Sequence, residues 1–210
     1  MFPALYPIVD PSLTRAPLVP LGESLAAAGV RLIQLRDKSS TARQLYVAAT
    51  SLTAALSPRG VRVIVNDRPD IAAMVGAGGV HVGQEDLPVE DARRICRAPL
   101  WVGVSTHNIE QLREAARTSA DYIAVGPVFP TATKENPDPV VGTDLLREAR
   151  RITDKPLVAI GGITLDRAEE VFRAGADSLA VIGDILSAGD PVARAREYLA
   201  IAARVLPARA

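Results

Sequence analysis

The sequence predicts a compact (β/α)8 barrel, and three observations predict it. Short apolar, β-branched runs recur along the chain, several of them apolar at consecutive positions, as in Leu157-Val158-Ala159-Ile160. That is how a parallel strand covered on both faces reads. Stretches rich in Ala, Leu, Glu and Arg with helical spacing lie between the runs. A small internal repeat joins the two: a helical stretch ends in a small-residue turn and a strand follows at once. The repeat appears at Ala28-Gly29-Val30, at Gly76-Ala77-Gly78-Gly79 and at Ala174-Gly175-Ala176-Asp177, with a fainter copy at Ser119-Ala120-Asp121. Glycine after a helix supplies a left-handed cap, and small residues let the next strand pack close. About eight such units point to a closed barrel; a doubly wound open sheet is the alternative arrangement.

In chain order, strands are expected near Leu5–Val9, Arg31–Leu35, Arg62–Val65, Gly79–Val82, Leu100–Val104, Tyr122–Val125, Leu157–Ile160 and Leu179–Ile182. Helical segments are expected at Thr41–Leu56, Val89–Arg97, Glu110–Thr118, Leu145–Ile152, Arg167–Arg173 and Pro191–Val205. No linker or low-complexity tract interrupts them, so residues 1–210 read as one barrel domain with short loops.

Composition excludes several classes of function. The chain has 210 residues, 48% hydrophobic and 23% charged, as in an average soluble globular protein. Lys+Arg and Asp+Glu stand at 24 each, so no global basic field exists to hold a nucleic acid. No apolar run approaches the roughly 20 residues that span a bilayer, which argues against a membrane partner. The single cysteine, Cys96, excludes an intrachain disulfide framework and reads as a core thiol in a reducing compartment. Met1–Asp10 lacks a basic flank followed by a long apolar region, so no secretory signal is expected and the location reads as cytoplasmic.

The unusual polar residues fall just where the strands end. Gln34, Arg36 and Lys38 leave the second strand, Asn66 and Asp67 the third, and His81, Gly83, Gln84 and Asp86 the fourth. Ser105 and His107 leave the fifth. The sixth runs through Gly126-Pro127 into Thr131-Ala132-Thr133-Lys134, the seventh ends in Gly161-Gly162 and the eighth in Gly183. In a barrel these C-terminal strand ends share one face, the face that carries active sites.

Each group has its chemistry. In Gln34-Leu35-Arg36-Asp37-Lys38, strand alternation points residues 34, 36 and 38 one way and Leu35 the other. Arg36 offers a planar fork and Lys38 a point charge, a pair that suits a pyrophosphate; ordinary surface charge at a fraying strand end is the plainer reading. Asp67 and Asp86 on adjacent strand ends suit magnesium, which takes one or two carboxylates plus phosphate oxygens and waters. Taken singly, Asp67 reads as an Asx turn and Asp86 as a helix cap before Pro88. The loop from Pro127 to Pro139 is long enough to act as a lid, with two hydroxyls and an amine to close over an anion. Gly161-Gly162 and Ile182-Gly183 match the phosphate cradle of many barrels, where backbone N–H groups hold a dianion. His81 and His107 do not form a metal pair by spacing, and His81 reads as structural.

Together these motifs resemble the thiamine phosphate synthase family across most of the chain. The segments are QLRDK at 34–38, VNDRPDIA at 65–72, GVHVGQEDLP at 79–88, VGVSTHN at 102–108, DYIAVGPVFPTATK at 121–134, VAIGGI at 158–163 and AGADSLAVIG at 174–183. The resemblance implies a transferase that joins 4-amino-2-methyl-5-(diphosphooxymethyl)pyrimidine to 4-methyl-5-(2-phosphooxyethyl)thiazole, releasing thiamine phosphate and pyrophosphate. It implies that Gln34, Arg36, Lys38, Asn66, Ser105 and Lys134 meet the pyrimidine diphosphate, with Leu35 and Asp37 also among the substrate-binding residues and Arg36, Lys38, Ser105 and Lys134 catalytic. It implies that Asp67 and Asp86 hold Mg2+, and that Thr131, Ala132, Thr133, Gly162, Ile182 and Gly183 hold the thiazole phosphate. It further implies a dissociative reaction, with no protein nucleophile. The family commonly has serine where this chain has Gly183. The related thiazole tautomerase resembles the chain less in the loop after the sixth strand, and T-A-T-K with paired aspartates argues for the synthase. A non-catalytic phosphate sensor on this scaffold would be expected to lose the metal carboxylates, which are present.

Overall fold

A computed structural model describes residues 2–14, 16–97, 99–131 and 138–206. Its strands are β1 (Leu5–Val9), β2 (Leu32–Leu35), β3 (Arg62–Asn66), β4 (Gly79–Val82), β5 (Trp101–Thr106), β6 (Tyr122–Val125), β7 (Leu157–Ile160) and β8 (Ser178–Val181). All pair in parallel with their sequence neighbours, and β8 pairs back onto β1 through Leu5–Leu179, Tyr6–Ala180 and Pro7–Val181. That last pairing closes the barrel and excludes the open sheet. The outer layer is α1 (Leu18–Ala27), α2 (Ala42–Leu56), α3 (Pro69–Met74), α4 (Val89–Ile95), α5 (Ile109–Arg117), α6 (Gly142–Ile152), α7 (Ala168–Arg173), the short α8 (Gly183–Leu186) and α9 (Pro191–Val205). No helix among the described residues is long and apolar enough to cross a membrane.

The helix-to-strand repeat is a shared hydrogen-bonding motif. Gly29, Gly76 and Gly175 all have positive φ, at 108°, 62° and 114°. After each helix the glycine N–H bonds three residues back and the next N–H five residues back: Gly29 to Ala26 and Val30 to Leu25, Gly76 to Ala73 and Ala77 to Ala72, Gly175 to Phe172 and Ala176 to Val171. This Schellman pattern satisfies the last helical carbonyls and turns the chain straight into a strand. The fainter copy at Ser119-Ala120-Asp121 uses a different device. There the Asp121 carboxylate accepts the Val102 N–H and an Arg93 contact, as Asp177 accepts the Leu157 N–H and Arg150 at the entry to β8.

Several boundaries differ from the sequence expectation for local reasons. Arg31 turns its guanidinium back onto the Ala26 and Val30 carbonyls and so belongs to the turn. The Leu100 N–H closes a turn onto Arg97. Ile182 leaves the sheet at φ −113° and ψ −82° and leads directly into α8. The pattern does not single out α1 and α3, because Pro20 and Gly22 interrupt the one and the other has only 6 residues.

Strand alternation sorts the buried side chains into two cores. Leu5, Val9, Ile33, Leu35, Val63, Val65, Val80, Val82 and their counterparts pack outward under the helices. Tyr6, Ile8, Leu32, Ile64, Tyr122, Ala124, Val158 and Ala180 fill the barrel itself. Trp101, stacked on Phe2 at 5.2 Å between ring centroids, closes the end opposite the catalytic mouth. The Tyr122 ring takes its place only because β5 carries no side chain at 103: a Cβ on Gly103 would lie 2.0 Å from Tyr122 Cζ.

Gly103→Ala therefore has to displace a fully buried ring. Urea unfolding should show a loss of about 3 kcal/mol, the upper range for overpacking a core. Gly189→Ala, where a Cβ meets nothing within 4 Å, is the control and should leave stability unchanged within about 0.5 kcal/mol.

Candidate active site

The C-terminal ends of the strands form one mouth, and its first half is charged. The Arg36 N–H continues the ladder onto the Val9 carbonyl, which fixes the segment leaving β2. Arg36 then pairs with Asp10 at 2.6 Å, an aspartate 4% exposed that also accepts the Ser12 N–H and hydroxyl. Asp10 thereby fixes the guanidinium fork toward the mouth. Gln34 is buried on the barrel side, while Leu35 lies in the outer core and offers the mouth only backbone. Asp37 accepts the Ser39 and Ser40 N–H groups and shapes the turn before α2, which Thr41 caps. The Lys38 ammonium reaches the Asp67 carboxylate; with Lys38 58% exposed, that pair is a weak source of stability in water.

Asn66 and Asp67 end β3. Asp67 is the residue other than glycine with positive φ among those described, at 62°, and its N–H bonds to the His81 carbonyl on β4 at 2.8 Å. A strained backbone at such a place marks a side chain held in position for a purpose. Its carboxylate meets Asp86, which accepts the Gly83 N–H at 2.7 Å. Asp86 is not the cap of α4, which has Pro88 there and no side-chain bond, and the Asp67 carboxylate is engaged by Lys38 and Asp86. Burial, and then the neighbouring Asp67 carboxylate, push Asp86 above the ordinary carboxylate value. Two carboxylates in contact are a donor set that a divalent cation would relieve. Among the described residues no group of three or more His, Cys, Asp or Glu converges, so a cation here would complete its shell with substrate oxygens and water.

The second half of the mouth is built of backbone. Val128 and Phe129 donate to the Ile160 and Gly161 carbonyls, which pins the loop after β6 to the end of β7. That loop delivers Thr131, half-buried, to the mouth; Ala132, Thr133 and Lys134 lie outside the described residues. Gly162 has φ of 62°, with Pro130 O at 2.3 Å from where a Cβ would stand, and its carbonyl accepts from Arg167. Ile182 caps α8 and Gly183 begins it, its φ outside the positive range of the seven glycines that have one. The Ile185 and Leu186 N–H groups both go to the Ile182 carbonyl, which leaves the Gly183 and Asp184 N–H groups with no acceptor in the helix. Asp184, which would repel an anion there, is turned onto Arg194 and Tyr198 at 2.8 Å each. His107 contacts the Gly126 carbonyl at 2.6 Å and lies 3.5 Å from Asp138, well apart in role from His81.

Beneath the mouth runs a polar chain that the sequence reading did not assemble. Gln34 Nε2 donates to Tyr6 Oη, Tyr6 Oη contacts Tyr122 Oη, and Tyr122 Oη contacts His81 Nδ1 at 3.0 Å. His81 Nε2 contacts Ser105 Oγ at 2.9 Å. Burial holds both phenols above their ordinary value and depresses His81 to about 4, so all three are neutral at pH 7. Asp10 was also passed over, although a polar residue directly after β1 is the signal that marked the other strand ends. Cys96 is a core thiol, as expected, donating to the Pro69 carbonyl.

A closed parallel barrel with cations, paired carboxylates and backbone donors at its C-terminal mouth defines an enzyme of small, charged molecules. The sequence model described as thiamine monophosphate synthase matches residues 5–185. A thiamine-phosphate synthase of Koribacter versatilis is 49% identical over 204 residues, 95% of either chain, and one of Methanocella arvoryzae is 44% identical over 198, 94% of this chain and 93% of its own. The solved structure of a thiamine phosphate pyrophosphorylase from Pyrococcus furiosus superimposes with a TM-score of 0.87, at 34% identity over 97% of both chains. The chain belongs to the thiamine monophosphate synthase family, transferases of thiamine biosynthesis.

The contact between Asp67 and Asp86 has a consequence for stability. Asp86 holds its proton more tightly folded than unfolded, so ionising it opposes folding above its raised value and not below the ordinary 3.8. Metal-free Asp86→Asn, which keeps an acceptor for Gly83, should melt at or above the wild-type temperature at pH 8. Thermal scans from pH 8 to 3.5 should show the difference vanish at the acid end.

Proposed function

We infer that the chain condenses 4-amino-2-methyl-5-(diphosphooxymethyl)pyrimidine with 4-methyl-5-(2-phosphooxyethyl)thiazole to give thiamine phosphate and pyrophosphate. The observation that carries this reading is the division of the mouth. Arg36, Lys38, Asp67 and Asp86 gather at the ends of β2 to β4, while backbone groups, with the Arg167 guanidinium on the Gly162 carbonyl, line the ends of β7 and β8. A diphosphate that must leave suits the first half, and a phosphate that must only be held suits the second.

The roles are those the resemblance implies, placed on the side chains just described. Gln34, Asn66 and Ser105 orient the pyrimidine between the barrel floor and the charged rim. Arg36, its fork fixed by Asp10, and Lys38 donate to the diphosphate and stabilise the charge that develops as the methylene carbon–oxygen bond breaks. The pair of electrons leaves with pyrophosphate, and the resulting pyrimidine-methyl cation is captured by the thiazole nitrogen. No protein nucleophile and no proton transfer are needed; positioning and charge supply the rate. Asp67 and Asp86 fit Mg2+, which when bound would neutralise diphosphate oxygens as a Lewis acid. The N–H groups of Gly162, Ile182 and Gly183, with Thr131, Ala132 and Thr133, hold the thiazole phosphate, and Lys134 is assigned to the leaving group. Leu35 contributes only through its backbone, and Asp37 by holding the turn that presents Lys38.

Incubating the purified protein with both substrates and magnesium should release thiamine phosphate and pyrophosphate in equal amounts. Excess chelator should stop it, and Asp67→Asn should lower turnover ~100-fold or more and raise the magnesium requirement. Full activity in chelator would remove the metal from the scheme.

The position that departs from the family pattern gives a second test. Gly183 begins a helix with ordinary φ, so Gly183→Ser adds a donor without backbone strain. Thiazole phosphate should bind equally well or more tightly, by up to about tenfold for one charge-assisted hydrogen bond. Gly183→Val should crowd the cradle and raise the thiazole phosphate KM while the pyrimidine KM stays near wild type. Steady-state kinetics with each substrate varied in turn reads both.

A further inference from the structure

Three buried polar side chains, Tyr6, Tyr122 and His81, have no part in the reaction as derived, yet they join two residues that do. The hydrogen-bonding sense of the whole chain follows from the orientation of the Gln34 carboxamide, whose Nε2 faces Tyr6 Oη. A carboxamide nitrogen has only hydrogens to offer, so Tyr6 Oη accepts from Gln34. Tyr6 is fully buried, and its O–H has Tyr122 Oη beside it at 2.9 Å, so it donates there. The Tyr122 O–H then goes to His81 Nδ1, which leaves the single proton of the neutral imidazole on Nε2. Nε2–H donates to Ser105 Oγ, and the Ser105 O–H is released for the mouth. If the carboxamide of Gln34 were turned over, every bond would run backwards. His81 would carry its proton on Nδ1, and Ser105 would spend its O–H on the ring.

We propose that the Tyr6–Tyr122–His81 chain ties the two polar ends of the pyrimidine pocket to one sense, so that Gln34 turning its oxygen toward the ligand and Ser105 acting as a donor go together. The inference rests on the reading of the mouth as a pyrimidine diphosphate site. An aminopyrimidine offers an exocyclic N–H to accept and ring nitrogens to be donated to, which is the complement of that pattern. A 4-oxo-pyrimidine reverses it, placing a carbonyl where the amine stood and a hydrogen on the adjacent nitrogen. The pocket would then reject the oxo compound because buried polar groups would face their own kind. Tyr122 and His81 act here as positioning residues: neither needs to touch the substrate.

The sense of the chain can be read without substrate. The protein has 2 histidines, so two-bond proton–nitrogen spectra of the 15N-labelled wild type, with His107→Gln for assignment, report the His81 tautomer directly. A single Nε2–H tautomer is expected, and an Nδ1–H tautomer would overturn the proposal. Tyr122→Phe keeps the ring packing but removes the O–H that holds Nδ1, so both tautomers should appear; an unchanged spectrum would also overturn it. In kinetics, the wild type should prefer the 4-amino pyrimidine diphosphate over the 4-oxo analogue, read as a competitive inhibitor, by about 100-fold or more. Tyr122→Phe should reduce that preference about tenfold and leave the thiazole phosphate KM within about twofold. An equal loss for both pyrimidines would mean a packing role and defeat the proposal. Failure of the wild type to form thiamine phosphate would overturn the functional reading and the pyrimidine assignment with it, and the tautomer measurement separates that failure from a wrong sense of the chain.

Discussion

Closing eight parallel strands turns every second side chain into a cylinder that water does not fill, and most features of this protein answer to that constraint. The interior must be packed, and polar atoms sent inside are stabilised by a partner there, which the Ser178 hydroxyl alone among those described lacks. Apolar side chains such as Ile8, Leu32, Ile64 and Val158 meet the first demand. The two tyrosines meet both, because their rings fill space and their hydroxyls bond to each other, to Gln34 and to His81. The fit is tight enough that β5 gives up a side chain at Gly103 to admit Tyr122. Closure also gathers the C-terminal strand ends into a ring, which is how residues from eight separate segments come to share one mouth.

The mouth illustrates how charge is held ready at the edge of such a core. Arg36 is bound by a nearly buried aspartate, so its fork is oriented before any ligand arrives. Asp67 is presented on a strained backbone and set against Asp86, an arrangement that opposes folding and makes sense where a cation is to be held. Across the ring the opposite solution applies: Asp184 is drawn back onto Arg194 and Tyr198, leaving the start of α8 to its N–H groups. One half thus carries opposed side-chain charges and the other backbone groups with the Arg167 guanidinium beside them.

Much of this was legible in the residues alone. Runs such as Leu157–Ile160 marked strands covered on both faces, and the Gly29, Gly76 and Gly175 turns marked where helices end, because both signals are local. Charged residues stranded after apolar runs marked the mouth for the same reason. The boundaries that moved, at Arg31, Leu100 and Ile182, did so where a side chain or turn took a hydrogen bond that the apolar pattern does not encode.

By itself the sequence determined the order of the eight strands, the placing of Arg36, Lys38, Asp67 and Asp86 at their C-terminal ends and the chemistry of each as an individual group. Tertiary structure alone decided which of them touch. The partnership of Arg36 with Asp10 spans 26 residues and that of Tyr6 with Tyr122 spans 116, and nothing in either neighbourhood names the other. His81 reads as structural from the sequence, and its two partners, a phenol from β6 and a hydroxyl from β5, are supplied only by the closed barrel. The physical reason is that propensity, capping and strand alternation act over a few residues, whereas the register of a closed barrel sets contacts between side chains from different strands.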